Sequence, residues 1–177
     1  MEGDNLKKTI FLILLVVISA YLFIFQWKLA PRPIYSLITN SIDLSKENIS
    51  GLKLHQDINS PSFIKEYGKI QSLNDNNSYD YFNLKNGLVI ATDKNSHMII
   101  RIIVNDNHDK KLVTQNGIKL GDLSEKVVKL YGKNYYKRQE QGTDILGYID
   151  KKNQTTLEFW CVENKIQMIR LDIASIN

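Results

Sequence analysis

Gly117-Ile118-Lys119-Leu120, followed by a helix-like run that ends in Tyr131-Gly132-Lys133, is the stretch on which the fold turns, because the chain holds a close copy of it. In that copy Gly51-Leu52-Lys53-Leu54 leads, through an insert two residues longer, to Tyr67-Gly68-Lys69. The far ends of the two units match as well: Leu88-Val89-Ile90 up to Arg101 aligns without a gap on Leu157-Glu158-Phe159 up to Arg170. Self-similarity at this spacing marks a duplicated supersecondary unit.

Within each unit the local signals follow one order. Ser60-Pro61 suits a helix start, with serine as cap and proline at the first helical position, and Gly68 suits the residue that closes it. In the second unit Asp122 or Ser124 is the expected cap, and Gly132 closes the helix. Asn74 to Ser78 is turn chemistry, and Asn86-Gly87 is a two-residue hairpin signal between strands expected at 79–84 and 88–92. A third strand is expected at 98–104. The second unit repeats the plan with strands at 135–139, 145–150, 155–162 and 166–173. The expected class is α+β: two repeated modules, each a short helix packed on an antiparallel three- to four-stranded sheet. Their boundaries are 51–104 and 112–177, with the polar residues 105–111 as a joint.

Upstream, residues 9–28 carry an uncharged run, Thr9 to Trp27, long enough for the roughly 20 residues that cross a bilayer core. Lys7 and Lys8 precede it, and Trp27 and Lys28 follow, where an aromatic belt and a snorkelling lysine would lie. The run predicts a single-pass transmembrane helix in the cell membrane, with residues 1–8 as a cytoplasmic tail, 29–50 as a linker or stalk, and the modules outside the cytoplasm. A cleaved signal peptide is the competing reading. Cleavage after Ala20 would leave Tyr21 to Phe25 as an apolar terminus, which favours the anchor.

The Gly117-to-Gly121 pattern, a polar cap, a short helix and Tyr131-Gly132-Lys133 leading into an antiparallel meander resemble the superfamily of the small outer-membrane assembly lipoproteins BamE/SmpA and the tandem-repeat β-lactamase inhibitor protein. They also resemble membrane-anchored or secreted proteins of Gram-positive bacteria. In the first copy His55 stands where the second has Gly121. No cysteine follows the apolar run, so the lipid attachment site of the lipoprotein branch is missing. The resemblance implies a tandem αβ scaffold that binds other proteins, with no catalytic residue to carry over.

The sequence shows no phosphate-binding glycine loop, no paired histidines of a zinc protease helix, no strained serine elbow and no two-cysteine redox spacing. No cofactor, metal or nucleic acid is expected, nor an enzyme. Cys161, the one cysteine, sits in an apolar strand pattern and reads as a small buried hydrophobe. His55, His97 and His108 are dispersed, and the acidic stretches near Asn74 and Asn105 lack the glycine and distal glutamate of a calcium loop.

Two surfaces remain as candidate sites. Alternation in the last strands places Leu157, Phe159, Cys161, Ile169, Leu171 and Ile173 under the helix and sends Glu158, Trp160, Met168, Arg170 and Tyr148 to the opposite face. The same alternation puts Val89, Ala91, Ile99, Arg101 and Ile103 there in the first unit. A sheet face bearing Trp, Tyr, Met and Arg has the composition of a protein-binding hot spot, which points to an adaptor, inhibitor or immunity-type factor. Lys126, Lys129, Lys133, Lys137 and Arg138 form the second candidate. Within a net charge of +4 they suit anionic lipid or cell-wall polymer and the alternative role of an envelope-associated structural module.

Overall fold

Strands dominate the chain because most of its third and last fifths alternate β-branched or aromatic residues with others, and the computed structural model joins them all into one sheet. It describes residues 10–19, 32–75, 79–84, 87–105 and 112–175. The helices are α1 over residues 10–19, α2 (Arg32–Ile38), α3 (Pro61–Tyr67) and α4 (Ser124–Tyr131). The strands are β1 (Asn74–Asp75), β2 (Tyr79–Asn83), β3 (Leu88–Asp93), β4 (Ile99–Val104), β5 (Tyr136–Glu140), β6 (Thr143–Asp150), β7 (Thr155–Val162) and β8 (Lys165–Ile173).

The eight strands form one antiparallel sheet in the order β1-β2-β3-β4-β8-β7-β6-β5. This corrects the expectation of two helix-on-sheet modules: β4 and β8 pair edge to edge, and a single apolar cluster contains Phe63 and Tyr67 of α3 together with Val127 and Tyr131 of α4. The reason lies in the strands that separate modules would leave open. Ile99–Val104 is almost wholly aliphatic and would template aggregation as a free edge. Pairing it with β8 leaves as edges the two-residue β1 and the charged Tyr-Lys-Arg-Gln-Glu of β5. The joint is self-symmetric in register, since Arg101 faces Asp172 while its repeat equivalent, Arg170, faces Ile103.

Two β-bulges fall at equivalent places, between Ala91 and Thr92 and between Trp160 and Cys161. A bulge sets two residues against one and resets the alternation. Ile99 therefore joins the main core, and Ile100, not Ile99, lies with Ala91 on the other face.

Helix ends follow local chemistry. Ser60 Oγ accepts from Phe63 N at 3.3 Å and Pro61 opens α3, while Gly68 and Gly132 terminate their helices at φ 79° and 88°, where only glycine is unstrained. The expected side-chain cap of α4 is absent: Leu123 stands at that position, and Asp122 instead accepts from Lys119 N at 3.0 Å and Lys126 Nζ at 2.8 Å. Asn74 and Asp75, expected in a turn, pair with β2; residues 76–78, 85–86 and 106–111 lie outside the described set.

The expected transmembrane helix over 9–28 is corrected too. Among the described residues no helix is long and apolar enough to cross a membrane. The ten residues of α1 rise about 15 Å, half of a hydrocarbon core, and the rest of the predicted span, from residue 20 on, lies outside the described set together with residues 1–9. The expected single-pass cell-membrane location is not supported either. α2 begins at Arg32 and takes Pro33 in its first turn, where no donor is lost. The predicted stalk is structured: Tyr35, Leu44 and Ile49 are all buried.

Candidate functional site

A sheet has two faces, and here they differ in kind. One carries the apolar core under α3 and α4. On the other, the alternation of β7 presents Glu158 and Trp160, β8 adds Met168, Arg170 and Asp172, β5 adds Tyr136 and Arg138, and β4 adds Arg101.

These side chains form a continuous chain of charge across the strands. Arg101 spends its whole fork: Nε and Nη2 donate to Asp172 at 2.9 and 3.2 Å, and Nη1 donates to Tyr81 Oη at 2.9 Å. Arg138 does the same, with Nε and Nη2 on Glu158 at 3.1 and 3.2 Å and Nη1 on Glu140. Arg170 bridges the two groups, with Nη2 2.5 Å from Glu158 Oε2 and Nε 3.2 Å from Asp172 Oδ2. Tyr136 Oη and Trp160 Nε1 also donate to Glu158, at 2.5 and 3.3 Å.

Glu158 and Asp172 are fully buried, at 0% exposure, and the guanidinium forks around them offset the cost of burying a carboxylate. Burial works against the charge on Arg101 and Arg138. The carboxylates outweigh it, Asp172 for Arg101 and Glu158 for Arg138, and hold both above the usual arginine value. Trp160 lies between two cations, with Arg138 and Arg170 Cζ at 5.4 and 5.0 Å from its ring centre. Such contacts are worth about 0.5–2 kcal/mol each and fix the indole in place.

Gly147 makes this geometry possible. It pairs with Tyr136 on one side and Glu158 on the other. A Cβ at Gly147 would lie 1.9 Å from Tyr136 Cζ, so the tyrosine ring occupies the space a side chain would fill and from there reaches Glu158. Tyr35 of α2 stacks on Tyr136 at 5.1 Å and closes this end of the face.

Of the residues expected on this face, Arg101, Glu158, Trp160, Met168 and Arg170 are brought together. Tyr148 is not: it pairs with Leu157 and sits at 0% exposure among Tyr131, Tyr135 and Phe159 in the core. The basic stripe is divided. Arg138 belongs to the buried chain of charge, and Lys126 is engaged by Asp122 and the Gly117 carbonyl. Lys129, Lys133 and Lys137 are exposed, Lys137 over the Tyr135 ring on the face opposite Arg138.

Sequence reasoning missed Tyr136, Asp172, Tyr81 and Gly147. Only the glycine gave a signal, since a glycine inside a strand marks close approach of another group. It also missed Glu47, buried in the predicted linker, where Gln115 N, Asn48 N and Tyr131 Oη donate to it at 2.8, 3.2 and 2.9 Å. Burial raises its pKa against those hydrogen bonds. Cys161 is buried and its thiol is pushed up to about 11, by burial first and then by Asp144. His55 and His97 are exposed, His108 is outside the described residues, and among the described residues no group of three or more His, Cys, Asp or Glu could hold a metal.

No family model matches the chain, and no curated protein does. Among solved structures it is similar to an extracellular protein containing an SCP domain from Bacillus anthracis, at 9% identity and a TM-score of 0.42. The match covers 67% of this chain and 43% of that one, so the chain spans less than half of its neighbour's length. A likeness that distant carries no argument about function.

Proposed function

We propose that this protein is a non-catalytic protein-binding module that docks a partner on the β7–β8 part of the charged face. The observation that carries the reading is Trp160, half-buried and held between Arg138 and Arg170, with half-buried Met168 and Ile103 beside it. An aromatic whose position is fixed before binding loses little entropy on contact, and Trp and Arg are the residues on which interface energy concentrates. The groups around it are committed to one another: both buried carboxylates accept from guanidinium forks, which suits a rigid platform better than proton transfer. The resemblance of the Gly117–Lys133 pattern to tandem αβ binding proteins points the same way.

The test is recovery of partners from the native cell with tagged wild-type protein, Trp160→Ala, and the double variant Lys129→Glu/Lys133→Glu. Loss of a specific partner with Trp160→Ala, and its retention in the double variant, is the expected result. The reverse pattern would move the function to the exposed lysines.

A further inference from the structure

Arg170 differs from the two arginines beside it in what it leaves unused. Arg101 and Arg138 each commit Nε, Nη1 and Nη2 to acceptors. Arg170 makes one hydrogen bond, through Nη2 to Glu158. Its Nε is buried with no hydrogen-bond partner, close to Asp172 but not directed at it; among the described residues only Thr92 Oγ1 shares that condition. Its Nη1 makes no bond either and is not sealed from solvent.

Charge gives the same sign as valence. Among the described residues three guanidinium groups meet two buried carboxylates, and the third acid, Glu140, is 44% exposed at the rim. Among the described residues the interior of the face thus carries one more guanidinium than carboxylate, and Arg170 is the one that retains free donors. Arg170 has a 15% exposed side chain flanked by Trp160 and cross-strand from Ile103, both half-buried. A desolvated guanidinium between an indole and an aliphatic side chain recognises a planar carboxylate with apolar neighbours, because the fork gives direction and the walls exclude water.

We infer that the partner docked on this face is a protein segment that seats an Asp or Glu carboxylate on Arg170, with apolar residues on either side against Trp160 and Ile103. This deepens the docking reading and rests on it. An extended segment fits, because alternate side chains of a strand point to one surface at a spacing close to that of the sheet beneath.

The experiment is a titration of the full chain, labelled with 15N, with the peptide acetyl-Leu-Ser-Glu-Ser-Leu-amide, whose leucines share the face of the glutamate when extended, and its Gln counterpart at low salt. The signals read are the Trp160 indole N–H, one of two tryptophans in the chain, and the Arg170 Nε–H. The expected result is a saturable shift of both signals with the Glu peptide and a Kd at least tenfold weaker with the Gln peptide. Arg170→Lys keeps a cation beside Glu158 but removes the spare fork, and should bring the two peptides to equal affinity. Equal binding of both peptides to wild-type protein would overturn the carboxylate inference and leave the docking face standing. No shift with either peptide would overturn both. A full response to sodium acetate alone, or shifts that follow protein concentration without peptide, would replace the peptide partner by a small anion or a second copy, and so contradict the inference.

Discussion

At equivalent places on the charged face, the first meander carries Val89 and Ala91 where the second carries Glu158 and Trp160. Both halves keep the bulge after the second of these residues and the arginine on the last strand, Arg101 or Arg170. In the first half the arginine finds a tyrosine and one carboxylate, and Ala91 packs against Ile100 in a small apolar cluster. In the second half the same framework supports a buried carboxylate, two arginines and a trapped indole. The backbone plan repeats while the side chains that make a surface are confined to one half.

The comparison is tested most severely at Glu158. Glu158→Ala removes the acceptor of Arg138, Arg170, Tyr136 and Trp160 at once, and breaking a buried pair in this way costs about 3–5 kcal/mol. Val89→Ala, at the half-buried equivalent site, should cost about 1 kcal/mol. Chemical denaturation of both variants checks the contrast, and comparable losses would break it.

Gly147→Ala comes next. Its Cβ must displace the Tyr136 ring, and overpacking of this kind costs about 1–3 kcal/mol, or roughly 2–10 °C in melting temperature for a chain of this size. The equivalent residue in the first meander is Asn83, opposite Val89 and exposed, and Asn83→Ala should stay within about 0.5 kcal/mol. A thermal melt with the Tyr136→Ala/Gly147→Ala double variant sharpens the point, because removing the ring should remove the clash.

Acid titration separates the lead-in of the first unit from the turn after β6. Glu47 has a raised pKa, so its contribution to stability is complete below the unfolded value and is lost as pH rises through the folded one. Asp150 has a lowered pKa: burial opposes its charge, but the Asn153 and Leu44 donors prevail. Its contribution is present above the unfolded value and is lost as pH falls through the folded one. Glu47→Gln should therefore gain on wild type in melting temperature as pH rises above the usual glutamate value of 4.5, and Asp150→Asn should lose on wild type as pH rises from acid towards the usual aspartate value of 3.8. Parallel curves would contradict both assignments. Smallest of all, Lys129→Glu on the exposed side of α4 should change stability by no more than about 0.5 kcal/mol.

How far these features could be read from the chain follows from what alternation contains. Period two located the strands to within a residue or two and put Glu158, Trp160 and Arg170 on one face. It could not place Tyr148, because Ile145-Leu146-Gly147-Tyr148-Ile149 is apolar on both sides and its face depends on register with Leu157. Nor does alternation survive a bulge, which is why Ile99 and Ile100 exchange faces. Pairing between β4 and β8 was invisible for a different reason: a strand's own sequence does not name its neighbour, only that an aliphatic edge needs one. Glu47 left no trace because its burial comes from residues 112–116 folding back on an aperiodic segment. Of the apolar run near the N-terminus, residues 10–19 are described, as α1.

The claim that the docking surface centres on the second half meets its most direct test in photo-crosslinking from the native cell, with the reactive side chain placed at Met168 in one strain and at Val89 in another. Both positions are half-buried and lie on the same face in opposite halves. The account predicts a discrete adduct from position 168 that disappears with Trp160→Ala, and none from position 89. An adduct from position 89 that survives Trp160→Ala, with silence at position 168, would contradict it.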